Sequence, residues 1–129
     1  MDPLSPQTVL VAEDESQLLR LMERVLVQAG YEVLSARDGD EALASVAAHG
    51  ARIRVAVIDG AIAPRGAGEI LEALKKQGRG IGVVLTSGDV LERDLHRLML
   101  DCDGFFLHKP FAPRALLRAL EDSLVKGGG

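Results

Sequence analysis

Val9-Leu10-Val11-Ala12-Glu13-Asp14-Glu15 begins as an unbroken apolar run and ends in three acids. Such a run, without polar alternation, is the mark of a strand buried on both faces, and the abrupt change delivers carboxylates to its C-terminal edge. The pattern returns at Val55-Ala56-Val57-Ile58, which stops at Asp59 before a loop rich in Gly, Ala and Pro. Ile81 to Leu85 ends in Thr86-Ser87-Gly88, and Gly104 to His108 ends in Lys109-Pro110. With Tyr31 to Ser35 as a further short strand, five strands are predicted.

Helical spacing fills the intervals. Ser16 reads as an N-cap, after which Leu18, Leu19, Met22, Val25 and Leu26 recur on one face until Gly30. Asp38-Gly39 marks a turn into Asp40 to Ala48, closed by His49-Gly50. Gly68 to Gln77 presents Ile70, Leu71 and Leu74 together, and Asp89 would cap a helix from Val90 to Leu100. Pro113 opens the last, Arg114 to Val125, with Leu116, Leu117, Leu120 and Leu124 inward. Strict alternation of five strands and five helices, with continuous apolar strands, implies an α/β, doubly wound parallel sheet covered on both faces. Ligands of such sheets bind beyond the strand C-termini. Glu13, Asp14, Asp59, Thr86 and Lys109 are therefore the residues to watch.

A chain of 129 residues has room for one domain, read as an extension over 1–7, the domain proper over 8–125 and a flexible Gly tail over 126–129. The net charge of −4 argues against direct contact with nucleic acid, which needs a basic stripe, and suits a cleft that takes a cation. Cys102 is the single cysteine, so no internal disulfide can form and a reducing compartment is expected. No apolar run approaches the roughly 20 residues of a membrane span, and Met1 to Gln7 lacks the features of a signal peptide. The expected location is cytoplasmic, without membrane contact.

Three carboxylates brought to one edge by two strands would repel one another strongly and need a cation. Mg²⁺ suits the all-oxygen donor set, whereas Zn²⁺ would want Cys or His at ligand spacing. A carboxylate so placed can accept a phosphoryl group when a metal and a cationic side chain neutralise the transferring charge. Asp59 is the candidate acceptor, with the Lys109 ammonium and the Thr86 hydroxyl able to hold phosphoryl oxygens.

Taken together, Val9-Leu10-Val11-Ala12-Glu13-Asp14-Glu15, Val57-Ile58-Asp59, Leu85-Thr86-Ser87-Gly88 and His108-Lys109-Pro110-Phe111 resemble a bacterial response-regulator receiver domain of two-component signalling, chemotaxis-regulator-like, over Thr8 to Val125. The resemblance implies a flavodoxin-like five-stranded sheet in the order 2-1-3-4-5. It implies that Glu13, Asp14 and Asp59 hold Mg²⁺ with the backbone carbonyl of Ala61. Asp59 would then be phosphorylated from a histidine kinase, a histidine phosphotransfer protein or a small phosphodonor. Thr86 and Phe106 would act as the switch, and the bond to Pro110 would be a cis peptide. Such a domain is a signalling switch and no enzyme beyond its own phosphorylation and dephosphorylation. Its changing surface would be the fourth helix, fifth strand and fifth helix, where any homodimer would also form and where an unspecified effector would read it. Two departures stand out: the loop Gly60-Ala61-Ile62-Ala63-Pro64-Arg65-Gly66-Ala67-Gly68 is one residue longer than the family pattern, and Phe106 lacks the hydroxyl of the tyrosine found in some members.

Each residue also has a plainer reading. Asp14 could charge a helix N-terminus, Asp59 could open a turn, Thr86 could cap and Lys109 could be a solvated amine. Their coincidence on one sheet edge favours the joint role. His49, His96 and His108 fall on different elements with no partner at an informative spacing, and Glu92, Arg93, Asp94 and Arg97 read as a solvated helix face. The competing functions are a receiver-like interaction module that does not use phosphorylation and, more weakly, an aspartate-nucleophile phosphohydrolase. The latter lacks a second acid at Ala61. A flavin carrier is weaker still, for want of Trp and with a single Tyr to sandwich the ring.

Overall fold

The computed structural model describes residues 6–62, 65–78, 80–88, 97 and 104–127. In chain order these form β1 (Thr8–Ala12), α1 (Ser16–Gln28), β2 (Glu32–Ala36), α2 (Gly39–His49), β3 (Ile53–Asp59), α3 (Ala67–Lys75), β4 (Gly82–Ser87), β5 (Phe105–His108) and α4 (Pro113–Gly127). The helix expected over 90–100 with its Asp89 cap lies outside the described residues, as do His96 and Cys102.

All strand pairs are parallel, in the order β2-β1-β3-β4-β5. Side-chain alternation divides the sheet into two apolar layers. Leu10, Ala12, Ala56, Ile58, Val83 and Leu85 meet Val46 of α2 and Ile70 and Leu74 of α3, while Val9, Val11, Val55, Val57 and Val84 meet α1 and α4. β1, β3 and β4 are therefore covered on both faces, which is why their sequences read as continuous apolar runs. Each fully buried Val, Leu or Ile contributes about 1.5–3 kcal/mol relative to exposure, and the central strands supply most of them. Because β1 is flanked by β2 on one side and β3 on the other, the loops after β1 and β3 diverge and leave a crevice at the C-terminal edge. Among the described residues no helix is long and apolar enough to cross a membrane.

Element ends depart from expectation in physically simple ways. Glu15, not Ser16, occupies the N-cap of α1 in extended conformation and makes no side-chain cap bond. Asp38 caps α2, accepting the Glu41 N–H at 2.8 Å. The last helix runs on to Gly127, past the last inward leucine, because propagation adds a bond per residue without needing a buried side chain.

Candidate functional site

Three backbone hydrogen bonds carry the ladder one residue beyond the strands and so fix where the site side chains emerge. Glu13 N–H donates to the Ala36 carbonyl (3.0 Å), Gly60 N–H to Thr86 (2.8 Å) and Lys109 N–H to Ser87 (2.8 Å). Asp59 closes β3 with Thr86 directly beside it in the register of β4.

Glu13, Asp14 and Asp59 each bring one carboxylate oxygen to within 4.8 Å of the others. Glu13 and Asp59 are buried, at 1% and 5% exposure, while Asp14 faces solvent. The spread is close to the roughly 4 Å between opposite ligands of a Mg²⁺ octahedron, and the donors are all hard oxygens, so the residues fit such an ion and not a thiolate- or imidazole-seeking one.

Lys109 reaches into the cluster. Its Nζ lies 2.8 Å from Glu13 Oε1 and 3.4 Å from Asp59 Oδ2. The contact with Glu13 is an ion pair without hydrogen-bond alignment. The second oxygen of each buried carboxylate turns to a main-chain donor: Glu13 Oε2 accepts from Glu15 N–H at 3.0 Å, and Asp59 Oδ1 accepts from Ala61 N–H at 3.1 Å. Burial pushes the Glu13 carboxyl above its usual range, helped by the nearby Asp59 charge, and the Lys109 and Glu15 contacts do not reverse it. For Lys109 partial burial pulls the other way, but the neighbouring Glu13 and Asp59 carboxylates outweigh it and hold the ammonium above its usual range. Glu13 is almost wholly enclosed, so burial outweighs the single ammonium beside it, and a further cation would be needed to compensate its ionised form fully.

Thr86 is 1% exposed, and its Oγ1 has no hydrogen-bond partner among the described residues. Ala61 is exposed in the loop after β3, and Lys109–Pro110 is a cis peptide bond. Phe106 stands apart from the acidic group: it packs against the layer containing α2 and α3, with its ring 5.9 Å from that of His108 and tilted by 57°. His49 and His108 lie on different elements, at the end of α2 and of β5. Two features were not legible in sequence. The ion pair of Lys109 with Glu13 joins opposite ends of the chain and leaves no local signal. Arg65 binds Asp40 as well as Glu69; only the latter, four residues on, could have been suspected.

A parallel sheet in this order, with acids just after its first strand and closing its third and a lysine just after its fifth, has the CheY-like fold. The profile of the response regulator receiver domain matches residues 9–121, and the chain belongs to that family, whose members are signalling switches and not conventional enzymes. A probable transcriptional regulator, ycf27, of Galdieria sulphuraria is 35% identical over 85% of this chain and 42% of its own length. A probable transcriptional regulatory protein, TcrX, of Mycobacterium tuberculosis is 31% identical over 95% of this chain and 55% of its own. The chain thus spans about half the length of the curated relatives it matches. Among solved structures, a CheY-like receiver domain protein from Methanospirillum hungatei superposes with a TM-score of 0.85 at 24% identity, covering 96% of this chain and 98% of that one.

Proposed function

We propose that this chain is a Mg²⁺-dependent switch phosphorylated on Asp59, with residues 8–125 as the working unit. The observation that carries this reading is the gathering of Glu13, Asp14 and Asp59 oxygens around one point with the Lys109 ammonium beside them. Glu13, Asp14, Asp59 and the Ala61 carbonyl would hold the ion, which when bound offsets the charge of the group being transferred. Asp59 attacks the phosphorus of a phosphohistidine or small phosphodonor; the bond to the donor breaks and an acyl phosphate forms on the carboxylate. Lys109 pairs with one phosphoryl oxygen and Thr86 donates its hydroxyl to another. The buried, unpartnered Thr86 hydroxyl is consistent with a group waiting for such an acceptor.

The phosphodonor is a histidine kinase or histidine phosphotransfer protein in the cytoplasm. The modified state repacks Phe106 and changes the surface formed by residues 90–100, β5 and α4, which an effector or a second copy reads. Incubation with acetyl phosphate should add one phosphoryl group only when Mg²⁺ is present, and Asp59→Asn should abolish the mass shift. An unmodified wild-type chain under those conditions would overturn the reading. Full effector binding by Asp59→Asn would instead support an interaction module independent of phosphate.

A further inference from the structure

The loop after Asp59 is staked at two buried residues, Ile62 and Ala67, each 3% exposed. Its start is tied to the acceptor, since the Ala61 N–H donates to Asp59 Oδ1 (3.1 Å) and the Ile62 N–H to the Asp59 carbonyl (3.1 Å). Its far end is tied elsewhere. The Arg65 guanidinium divides between two helices: Nε donates to Asp40 Oδ1 (3.2 Å) in the first turn of α2, and Nη1 donates to Glu69 Oε2 (3.3 Å) in the first turn of α3. The Arg65 main chain is pressed against α2 as well. A Cβ added to Gly39 would stand 2.0 Å from the Arg65 carbonyl oxygen and 2.7 Å from its carbonyl carbon. Only glycine leaves room for that approach, and the obstacle is backbone, which cannot rotate aside.

We infer that Gly39 and Arg65 form a seat on which the N-terminus of α2 sets the loop carrying Ala61, so that both are positioning residues for the Mg²⁺ site. The inference rests on the proposed function, because Ala61 matters only if its carbonyl is a ligand. Neither residue touches the acidic group; each acts through the loop. Exposed ion pairs are individually weak, so the guanidinium accounts for a small share of the effect and the Gly39 contact for a larger one.

The test is calorimetric titration of the full chain with Mg²⁺ alone, alongside amide spectra of Ala61 and Ile62. Arg65→Ala and Asp40→Asn should each weaken Mg²⁺ binding about threefold. Gly39→Ala should weaken it about tenfold or more, with the Ala61 and Ile62 amides shifted and the melting curve of the Arg65 variant unchanged. Arg65→Lys, a point charge unable to serve both acids equally, should fall between wild type and Arg65→Ala. At saturating Mg²⁺ the rate of phosphorylation by acetyl phosphate should return to the wild-type value in Arg65→Ala. Wild-type affinity in Gly39→Ala, or in both Arg65→Ala and Asp40→Asn together with unshifted Ala61 and Ile62 amides in all three variants, would overturn the seat while leaving the proposed function intact. No Mg²⁺ binding by the wild type would overturn both.

Discussion

Thr86 stands directly beside Asp59 in the β3–β4 register, and its hydroxyl, sealed from solvent, has no hydrogen-bond partner among the described residues. A buried hydroxyl in that condition costs about 1–3 kcal/mol. Thr86→Val should therefore leave the unmodified protein as stable as wild type, or about 1 kcal/mol more stable, in urea denaturation. The same variant should lose the conformational response to phosphorylation. A destabilisation above about 1 kcal/mol would mean that the hydroxyl is already paired in the resting state.

Glu13 makes stability depend on pH in a direction that can be worked out. Its carboxyl sits above the usual range because it is buried, so the folded state binds the proton more tightly than the unfolded one. Wild-type stability without Mg²⁺ should then fall as pH rises through the raised value, and stay lowered above it. Glu13→Gln removes that loss. The variant should melt higher than wild type at pH 7 in EDTA, with the advantage vanishing once pH drops below the usual carboxylate range. Added Mg²⁺ should reverse the order, since only the wild type gains the full binding energy. Identical pH profiles for the two proteins in EDTA would contradict this.

Gly82 opens β4 against α4, and a Cβ there would lie 2.9 Å from both the Cβ and the carbonyl oxygen of Ser123. Gly82→Ala should cost about 1–3 kcal/mol by overpacking, read as a lower urea midpoint. The damage lies at the end of β4 remote from Thr86, so Mg²⁺ affinity of the folded fraction should not change. Equal loss of affinity and stability would show that α4 packing reaches the site.

Asp59 is itself buried, but the residues two positions beyond it and beyond Thr86 are small. Ala61 is exposed two residues beyond Asp59, and at Gly88, exposed two beyond Thr86, an added Cβ would meet, among the described residues, only the Lys109 Cβ, at 4.0 Å. An attacking water is therefore little obstructed, and the phosphoryl group should last minutes rather than hours with Mg²⁺ present. Quenching by EDTA and intact-mass measurement over time will read the lifetime; a chain still fully modified after several hours would refute the argument.

Most of the architecture could be read directly because β1, β3 and β4 are enclosed on both faces and leave an unmistakable apolar imprint. β2 was harder. It lies at the sheet edge with half-buried residues and an exposed Ser35, so the pattern in the sequence places its span one residue early. β3 begins at Ile53, two residues sooner than the apolar run, because half-buried Arg54 interrupts the pattern without breaking the strand. The acids at the strand ends were legible for the same reason as the strands that deliver them. What joins them was not: the reach of Lys109 to Glu13 and of Arg65 to Asp40 depends on three-dimensional closure, which no local spacing encodes.

The strand order has a consequence for biosynthesis. Acids near the start and middle of the chain meet a lysine that emerges only after β5, so a nascent polypeptide stalled or trimmed before residue 109 gathers negative charge with nothing to balance it. The counter-charge arrives with the last strand. Acceptance of a phosphoryl group on Asp59, as proposed above, would then await the pairing of β5, and a product ending before residue 109 should stay unmodified.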